Sequence, residues 1–330
     1  MKASPRRIAV EILNRIDEKG GHAEPLLDEA LSRTSFASPH DRGLLTELVY
    51  GTLRSRGRLD WIIGQLYHGR PESLETTVRN LLRTGLHQLW SADRIPPFAV
   101  VHETVEIAKD WSPAAAGLIN ALLRAEKRKK ESLPWPEMDR SPEEAIAVHH
   151  SHPRWLVRRL LAQSGPEEAI AICRSNNRIA PLTLRVNTLK ATRDEAMAAL
   201  AENGIASEPT RFSPDGLVLA SPAAGLRNLP LYREGLIRIQ DEASQLIAPL
   251  VGPLPGERIL DLCAGAGGKT LHLAALMKNQ GRITAVDLRP DRLRGLGREA
   301  ERLGVSIVET RTGDAAAPSL GSGETFDRVL

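Results

Sequence analysis

Ile259-Leu-Asp-Leu262 running into Cys263-Ala-Gly-Ala-Gly-Gly-Lys269 reads as a short apolar strand that breaks into a glycine-rich turn. An apolar stretch follows that predicts a helix over 269–278. Downstream, predicted strands at 282–286, 305–308 and 326–330 alternate with a predicted helix at 291–303. Regular alternation of this kind is the pattern of a parallel, doubly wound sheet. In such sheets a ligand sits at the carboxyl ends of the strands, where the strand order reverses. The turn at 263–269 therefore becomes the first place to look for a site.

Working back towards the N-terminus, the pattern changes twice. Pro181-Leu-Thr-Leu-Arg-Val-Asn-Thr-Leu189 alternates apolar and polar residues as a half-buried strand does. With a predicted helix at 192–202, strands at 205–211 and 217–220, and a strand-to-helix passage at 235–245, it forms a small α+β unit. Before it, Glu131-Ser-Leu-Pro-Trp-Pro-Glu-Met-Asp-Arg-Ser-Pro142 has too many prolines for a helix and reads as a linker. Up to about residue 130 the periodicity is helical throughout, as in Ile8, Ala9, Ile12, Leu13 and Ile16. Breaks at Gly20-Gly21, Ser38-Pro39, Arg70-Pro71, Pro96-Pro97 and Ser112-Pro113 divide this front into six or seven helices. The expected organisation is a helical domain at 1–130, a linker at 131–141, an α+β subdomain at 142–250 and a partial α/β domain at 251–330 holding four strands.

The 44 cations against 41 carboxylates leave a net charge of +3, and 35 of those cations are arginine. Arginine suits phosphate contact through its planar fork, and it clusters at Arg54, Arg56 and Arg58, at 124–130, and at Arg154, Arg158 and Arg159. No apolar run approaches the roughly 18 residues of a membrane-spanning helix, and no signal stretch follows the first residues. Two cysteines, Cys173 and Cys263, make neither a disulfide framework nor a four-ligand zinc site. A cytoplasmic protein without a membrane partner is expected.

Three readings of the glycine turn are open on the residues alone. A dinucleotide fingerprint would need a third glycine at 270, where Thr270 stands, although Asp287 lies about 20 residues beyond the turn as that fingerprint requires. A site for S-adenosylmethionine needs no phosphate cradle. It would use the acidic strand ends Asp261, Asp287 and Asp314, with Asp287 holding the ribose hydroxyls and Asp314 near the adenine edge. A ligand-free structural turn is the third. Elsewhere, His149, His150 and His152 lack the spacing of a metal site. Asp241 and Glu242 are adjacent on a helix start and suit capping better than acid–base work. Arg185 and Asn187 share one strand face, which is either strand-pair polarity or a surface turned towards RNA.

Taken together, Arg185-Val-Asn187, Gln240-Asp-Glu-Ala-Ser-Gln245 and Asp261-Leu-Cys-Ala-Gly-Ala-Gly-Gly-Lys-Thr270 resemble the RNA cytosine-C5 methyltransferases of the NOL/Nop2/Sun family. The front, with Ser4-Pro-Arg-Arg-Ile-Ala-Val10 and Asp41-Arg-Gly-Leu-Leu-Thr-Glu-Leu-Val-Tyr-Gly51, resembles the NusB RNA-binding domain. Their combination is similar to the bacterial RsmB (Sun/Fmu) type and covers essentially the whole chain. The resemblance implies an all-α NusB-like domain, a small α+β RNA-binding-like domain and an incomplete Rossmann-like methyltransferase domain. It implies S-adenosylmethionine as cofactor, held by Cys263, Ala264, Gly265, Ala266, Gly267, Gly268, Lys269, Asp287 and Asp314. The partner it implies is 16S ribosomal RNA or a small-subunit precursor, with no DNA. One departure is local: the family has Ala-Pro where this chain has Gly265-Ala266, which makes the turn less rigid.

Cytosine C5 is a poor nucleophile, so methylation there needs a thiolate added at C6 and a base to remove the C5 proton. Cys263 lies inside the turn and Cys173 in an apolar helical pattern, so neither is expected to be that nucleophile. The resemblance places the catalytic cysteines after the fourth and fifth strands, beyond Leu330. The 330-residue chain is therefore expected to be a C-terminally truncated, inactive methyltransferase. The competing expectations are a NusB-like RNA-binding module without catalysis and an NAD-binding Rossmann enzyme.

Overall fold

The computed structural model describes residues 4–36, 38–91, 95–220, 225–316 and 323–330, with the side chains at 39 and 127–130 also outside the description. The chain divides into two compact units, Met1–Arg178 and Ile179–Leu330. Among the described residues no helix is long and apolar enough to cross a membrane.

The first unit is helical: α1 (Pro5–Lys19), α2 (Ala23–Arg33), α3 (Pro39–Arg54), α4 (Arg56–Leu66), α5 (Thr76–Ser91), α6 (Pro97–Trp111), α7 (Ala116–Lys129), α8 (Pro142–His150) and α9 (Arg154–Asn176). The breaks read from sequence work as boundaries. α1 stops at Gly20 in the left-handed region (φ 66°), and Ser38 and Asp41 close a capping box at the start of α3. α5 is buried on most sides, with Val78, Leu81, Leu82 and Leu86 in the core. Its buried Arg83 pairs with Asp60 (2.6 Å) and Asp17 (2.8 Å), because an unpaired charge there would be costly.

Residues 131–141, expected as a linker, instead pack against these helices. Trp135 stacks on Trp61 at 4.5 Å and on His149 at 5.3 Å, which draws α8 and α9 into the first unit and puts the boundary between units at Arg178. The proline count excluded helix there; it said nothing about the two aromatic anchors. The arginine clusters are largely spent inside the unit. Arg56 pairs with Asp17 at 2.8 Å, Arg58 donates to the His149 carbonyl, and Arg154 and Arg158 share Glu143. The side chains of 127–130 lie outside the described residues.

The second unit holds two sheets. The first joins β1 (Thr183–Val186), α10 (Arg193–Glu202), β2 (Ser207–Pro209), β3 (Gly216–Leu219), α11 (Pro230–Arg233) and β4 (Ile237–Ile239), and its strands run antiparallel in the order β2-β3-β1-β4. The second follows α12 (Glu242–Val251) and comprises β5 (Arg258–Asp261), α13 (Thr270–Leu276), β6 (Arg282–Asp287), α14 (Pro290–Leu303), β7 (Val308–Thr312) and β8 (Arg328–Val329). It is parallel in the order β7-β6-β5-β8. The order reverses beside β5, so the glycine turn leaves the sheet at the topological switch point. The third strand starts at Val308 rather than Val305. Glu309, Thr310 and Thr312 of this edge strand are exposed, so hydrophobicity marked the buried approach at Val305 instead of the strand.

The two sheets are fastened by side chains that reach backbone carbonyls. Asn187, only 2% exposed, donates from Nδ2 to Gly235 O (2.9 Å) and to Leu303 O (2.8 Å). Arg302 reaches Ile237 O at 3.1 Å while lying over the Tyr232 ring. Asn187 is thus an internal bracket, and the RNA-facing alternative for this strand face is set aside. Asn187→Ala would leave two buried carbonyls without these donors. At about 1–3 kcal/mol per unsatisfied group, a loss of about 3 kcal/mol in urea unfolding is expected; a variant of unchanged stability would contradict the bracket.

Candidate functional site

The turn after β5 is built by three local devices. Ala264, itself buried, donates its amide to Val286 O (2.9 Å), which ties the turn to β6. Gly267 N donates to Ala264 O (2.9 Å), closing the turn. Gly265 (φ 55°) and Gly267 (φ 80°) take left-handed conformations that side-chain-bearing residues enter at a cost. Lys269 then stands at the N-terminal boundary of α13.

The acidic strand ends converge on this turn unequally. Asp287, at the end of β6, accepts from Gly265 N (2.8 Å) and Arg289 N (2.9 Å), so its carboxylate is fixed against the turn before any ligand arrives. Asp314 stands on the surface past the end of β7 and accepts from Ala316 N (2.9 Å); its neighbour Gly313 donates to the Asp287 carbonyl at 3.1 Å. Asp261 is buried beneath the turn, where its carboxylate accepts from Thr270 Oγ1 (2.7 Å) and Cys263 N (3.3 Å). It supports the turn from below. Cys263 is exposed within the turn, and Cys173 is buried in the helical core with its thiol pushed up by that burial.

Burial raises the Asp261 carboxyl above the ordinary carboxylate value, overcoming the opposing bond from Thr270. The raised group is neutral in acid and costs nothing there. As pH climbs, the unfolded chain releases its proton first, so the native state loses stability until the folded group ionises as well. Asp261→Asn is expected to remove this loss, so the variant gains stability relative to the parent on going from acid to neutral pH. Parallel thermal melts at the two pH values check this; an equal difference at both would refute it.

Position 270 also separates the ligand classes. A dinucleotide fingerprint wants glycine there, but Thr270 is fully buried with its hydroxyl committed to Asp261. The turn leaves room above it elsewhere: a Cβ at Gly265 or Gly268 would meet nothing nearer than 3.8 Å and 3.9 Å. An open turn beside a preset carboxylate fits a nucleoside with free ribose hydroxyls.

Two supports were not anticipated. Arg185 and Arg238, cross-strand partners on β1 and β4, both donate to carbonyls of the turn: Arg185 Nη1 to Gly268 O (3.1 Å) and Arg238 Nη2 to Ala266 O (2.9 Å). Arg185 is 1% exposed, and burial lowers its pKa to about 9, with Arg238 adding to the effect. The cue in the sequence was an arginine inside the apolar alternation of 182–186. Asp241 caps α12 by accepting from Ala243 N (3.0 Å), as its position at the helix start indicated. The three histidines diverge. His149 stacks on Trp135, His152 contacts the His150 carbonyl, and no group of three metal-ligating side chains occurs among the described residues.

Family models match three segments: the NusB family at residues 3–128, the RsmF/B-like methyltransferase ferredoxin-like domain at 152–224, and 16S rRNA methyltransferase RsmB/F at 248–330. The chain is 36% identical over 332 residues to the probable ribosomal RNA small subunit methyltransferase B of Bacillus subtilis, covering 100% of this chain and 73% of that protein. It is 40% identical over 291 residues to ribosomal RNA small subunit methyltransferase B of Pseudomonas putida, covering 88% of this chain and 65% of that one. Among solved structures, the crystal structure of PH0851 matches with a TM-score of 0.75 at 26% identity, over 96% of this chain and 70% of that chain.

Proposed function

The chain belongs to the RsmB/F family of 16S rRNA methyltransferases, and on that premise we propose that its second unit binds S-adenosylmethionine for cytosine-C5 methylation of small-subunit ribosomal RNA. The observation that carries the donor assignment is the Asp287 carboxylate, preset by Gly265 N and Arg289 N beside the open glycine turn. Cys263 through Lys269 would line the donor, Asp287 would accept from its ribose hydroxyls, and Asp314 would stand by the adenine edge. When bound, S-adenosylmethionine supplies an electrophilic methyl group. The chain's own residues hold and orient it. Gly265 and Gly268 allow close backbone approach, and Arg185 and Arg238 keep the carbonyls of the turn turned away towards the antiparallel sheet.

The thiolate step is a separate requirement, and neither cysteine of these 330 residues meets it. Cys173 is buried with a raised thiol pKa, which opposes the thiolate. Cys263 belongs to the donor turn itself. We therefore infer that this chain holds donor and RNA without completing transfer. Incubation with tritiated S-adenosylmethionine and unmodified small-subunit RNA is expected to leave the RNA unlabelled. Robust labelling, lost in Cys263→Ala, would overturn the inference.

A further inference from the structure

The loop joining β2 to β3 raises an aromatic ring into solvent on a support that is tied down beneath it. Phe212 is 62% exposed, and the Arg211 guanidinium carbon lies 4.9 Å from the ring centroid. Below the ring, the amides of Phe212 and Ser213 both donate to Glu242 Oε1, the second at 3.0 Å. These bonds, that of Phe212 foremost, hold the Glu242 carboxyl below its usual range. Ser213 Oγ donates to Gln245 Oε1 (2.7 Å), and Thr210 Oγ1 to Ser213 O (3.0 Å).

The support leads straight to the candidate donor site. Glu242 and Gln245 lie on α12, and Gln245 Nε2 donates to Gln240 O at 2.9 Å. The Gln240 amide in turn stands 3.9 Å from where a Cβ on Gly268 would be. On its other flank the loop places Asp215 Oδ2 3.5 Å from His272 Nε2, in the first turn of the helix that leaves the glycine turn. The loop therefore contacts both α12 and α13, the second of which leaves the glycine turn.

Phe212 leaves unclaimed part of the roughly 1.5–3 kcal/mol that full burial of such a side chain yields; what sets it apart from the other exposed apolar side chains is the hydrogen-bonded support beneath it. The fully buried core of a protein interface is more apolar than the surface around it. Here Arg211 lies over one face of the ring, within reach of the Glu242 charge but bonded to no carboxylate among the described residues, and leaves the other face to an occupant; the buried Ser213 adjoins it. An aromatic face beside an arginine matches an unpaired nucleobase, which stacks, and its phosphate, which a guanidinium binds. We propose that Phe212 is the stacking platform for an unpaired nucleobase of an RNA strand held near the candidate donor site, with Arg211 on the adjoining phosphate. This rests on the RNA methyltransferase reading above and adds a subsite to it.

The test is fluorescence anisotropy of the 330-residue chain with a fluorescein-labelled single-stranded RNA of small-subunit sequence. Phe212→Ala and Phe212→Leu are each expected to weaken binding about 5- to 150-fold, the range for one stacked base. Phe212→Tyr is expected to stay within about twofold of the parent because it keeps the π-face. Arg211→Ala should reduce the salt dependence by about one phosphate contact. Leucine binding as well as phenylalanine, an unchanged alanine variant, or no RNA binding by the parent would each overturn the proposal. Titration of S-adenosylmethionine into the same samples separates the two readings. Equal donor affinity across the series is expected, and a parent that binds RNA through Phe212 but no donor overturns the donor assignment alone.

Discussion

Gly267→Ala is expected to cost about 3 kcal/mol of stability and to weaken donor binding, a larger effect than the same change at Gly265. Two terms combine. At φ 80° a side chain brings the left-handed penalty, about 1–2 kcal/mol. The new Cβ would also lie 2.7 Å from Leu296 Cγ and 3.3 Å from Leu271 Cδ1. Both leucines are buried in the core of the parallel-sheet layer, so neither can swing aside, and overpacking of this kind costs about 1–3 kcal/mol more. Gly265→Ala supplies the control. Its φ of 55° carries the backbone cost, but the nearest atom to the added carbon is Arg292 Nη1 at 3.8 Å. Thermal melts and donor titrations of the pair are expected to separate them clearly; equal behaviour would mean that contact with Leu296 is not what limits the turn.

Asp287→Ala is expected to weaken S-adenosylmethionine binding about 10- to 150-fold, because hydrogen bonds to a charged acceptor are worth about 1.5–3 kcal/mol. The substitution also releases Gly265 N and Arg289 N, the two amides that the carboxylate fixes. Asp287→Asn separates the contributions, since an amide oxygen can still accept but carries no charge. Affinity is expected to fall in the order parent, asparagine, alanine in calorimetric titration. An alanine variant that binds like the parent would remove Asp287 from the site.

Much of this arrangement is legible in the sequence. The helical front, the small α+β unit and the parallel sheet follow from the shift of apolar period, and the switch-point turn from its glycines. What escaped the sequence was contact between segments distant along the chain. Trp135 is one proline-flanked residue in a segment that composition marks as linker, and only its stacking on Trp61 and His149 makes that segment part of the helical unit. Arg185 and Asn187 alternate with apolar neighbours as a solvent-facing pair would. Their burial comes from the carbonyls of Gly268, Gly235 and Leu303, which lie 48 to 116 residues further along the chain. The arginine clusters misled in the opposite direction, since charge on a helix looks alike whether it meets RNA or, as at Arg56 and Arg158, a carboxylate of the same unit.

The central claim is that the glycine turn and Asp287 form a site for S-adenosylmethionine. Its most direct test is calorimetric titration of the 330-residue chain with S-adenosylmethionine and, separately, with NADH. Saturable binding of the methyl donor at one site per chain, with no heat from NADH, is the predicted result. Binding of NADH, or no saturable binding of the methyl donor, would contradict it.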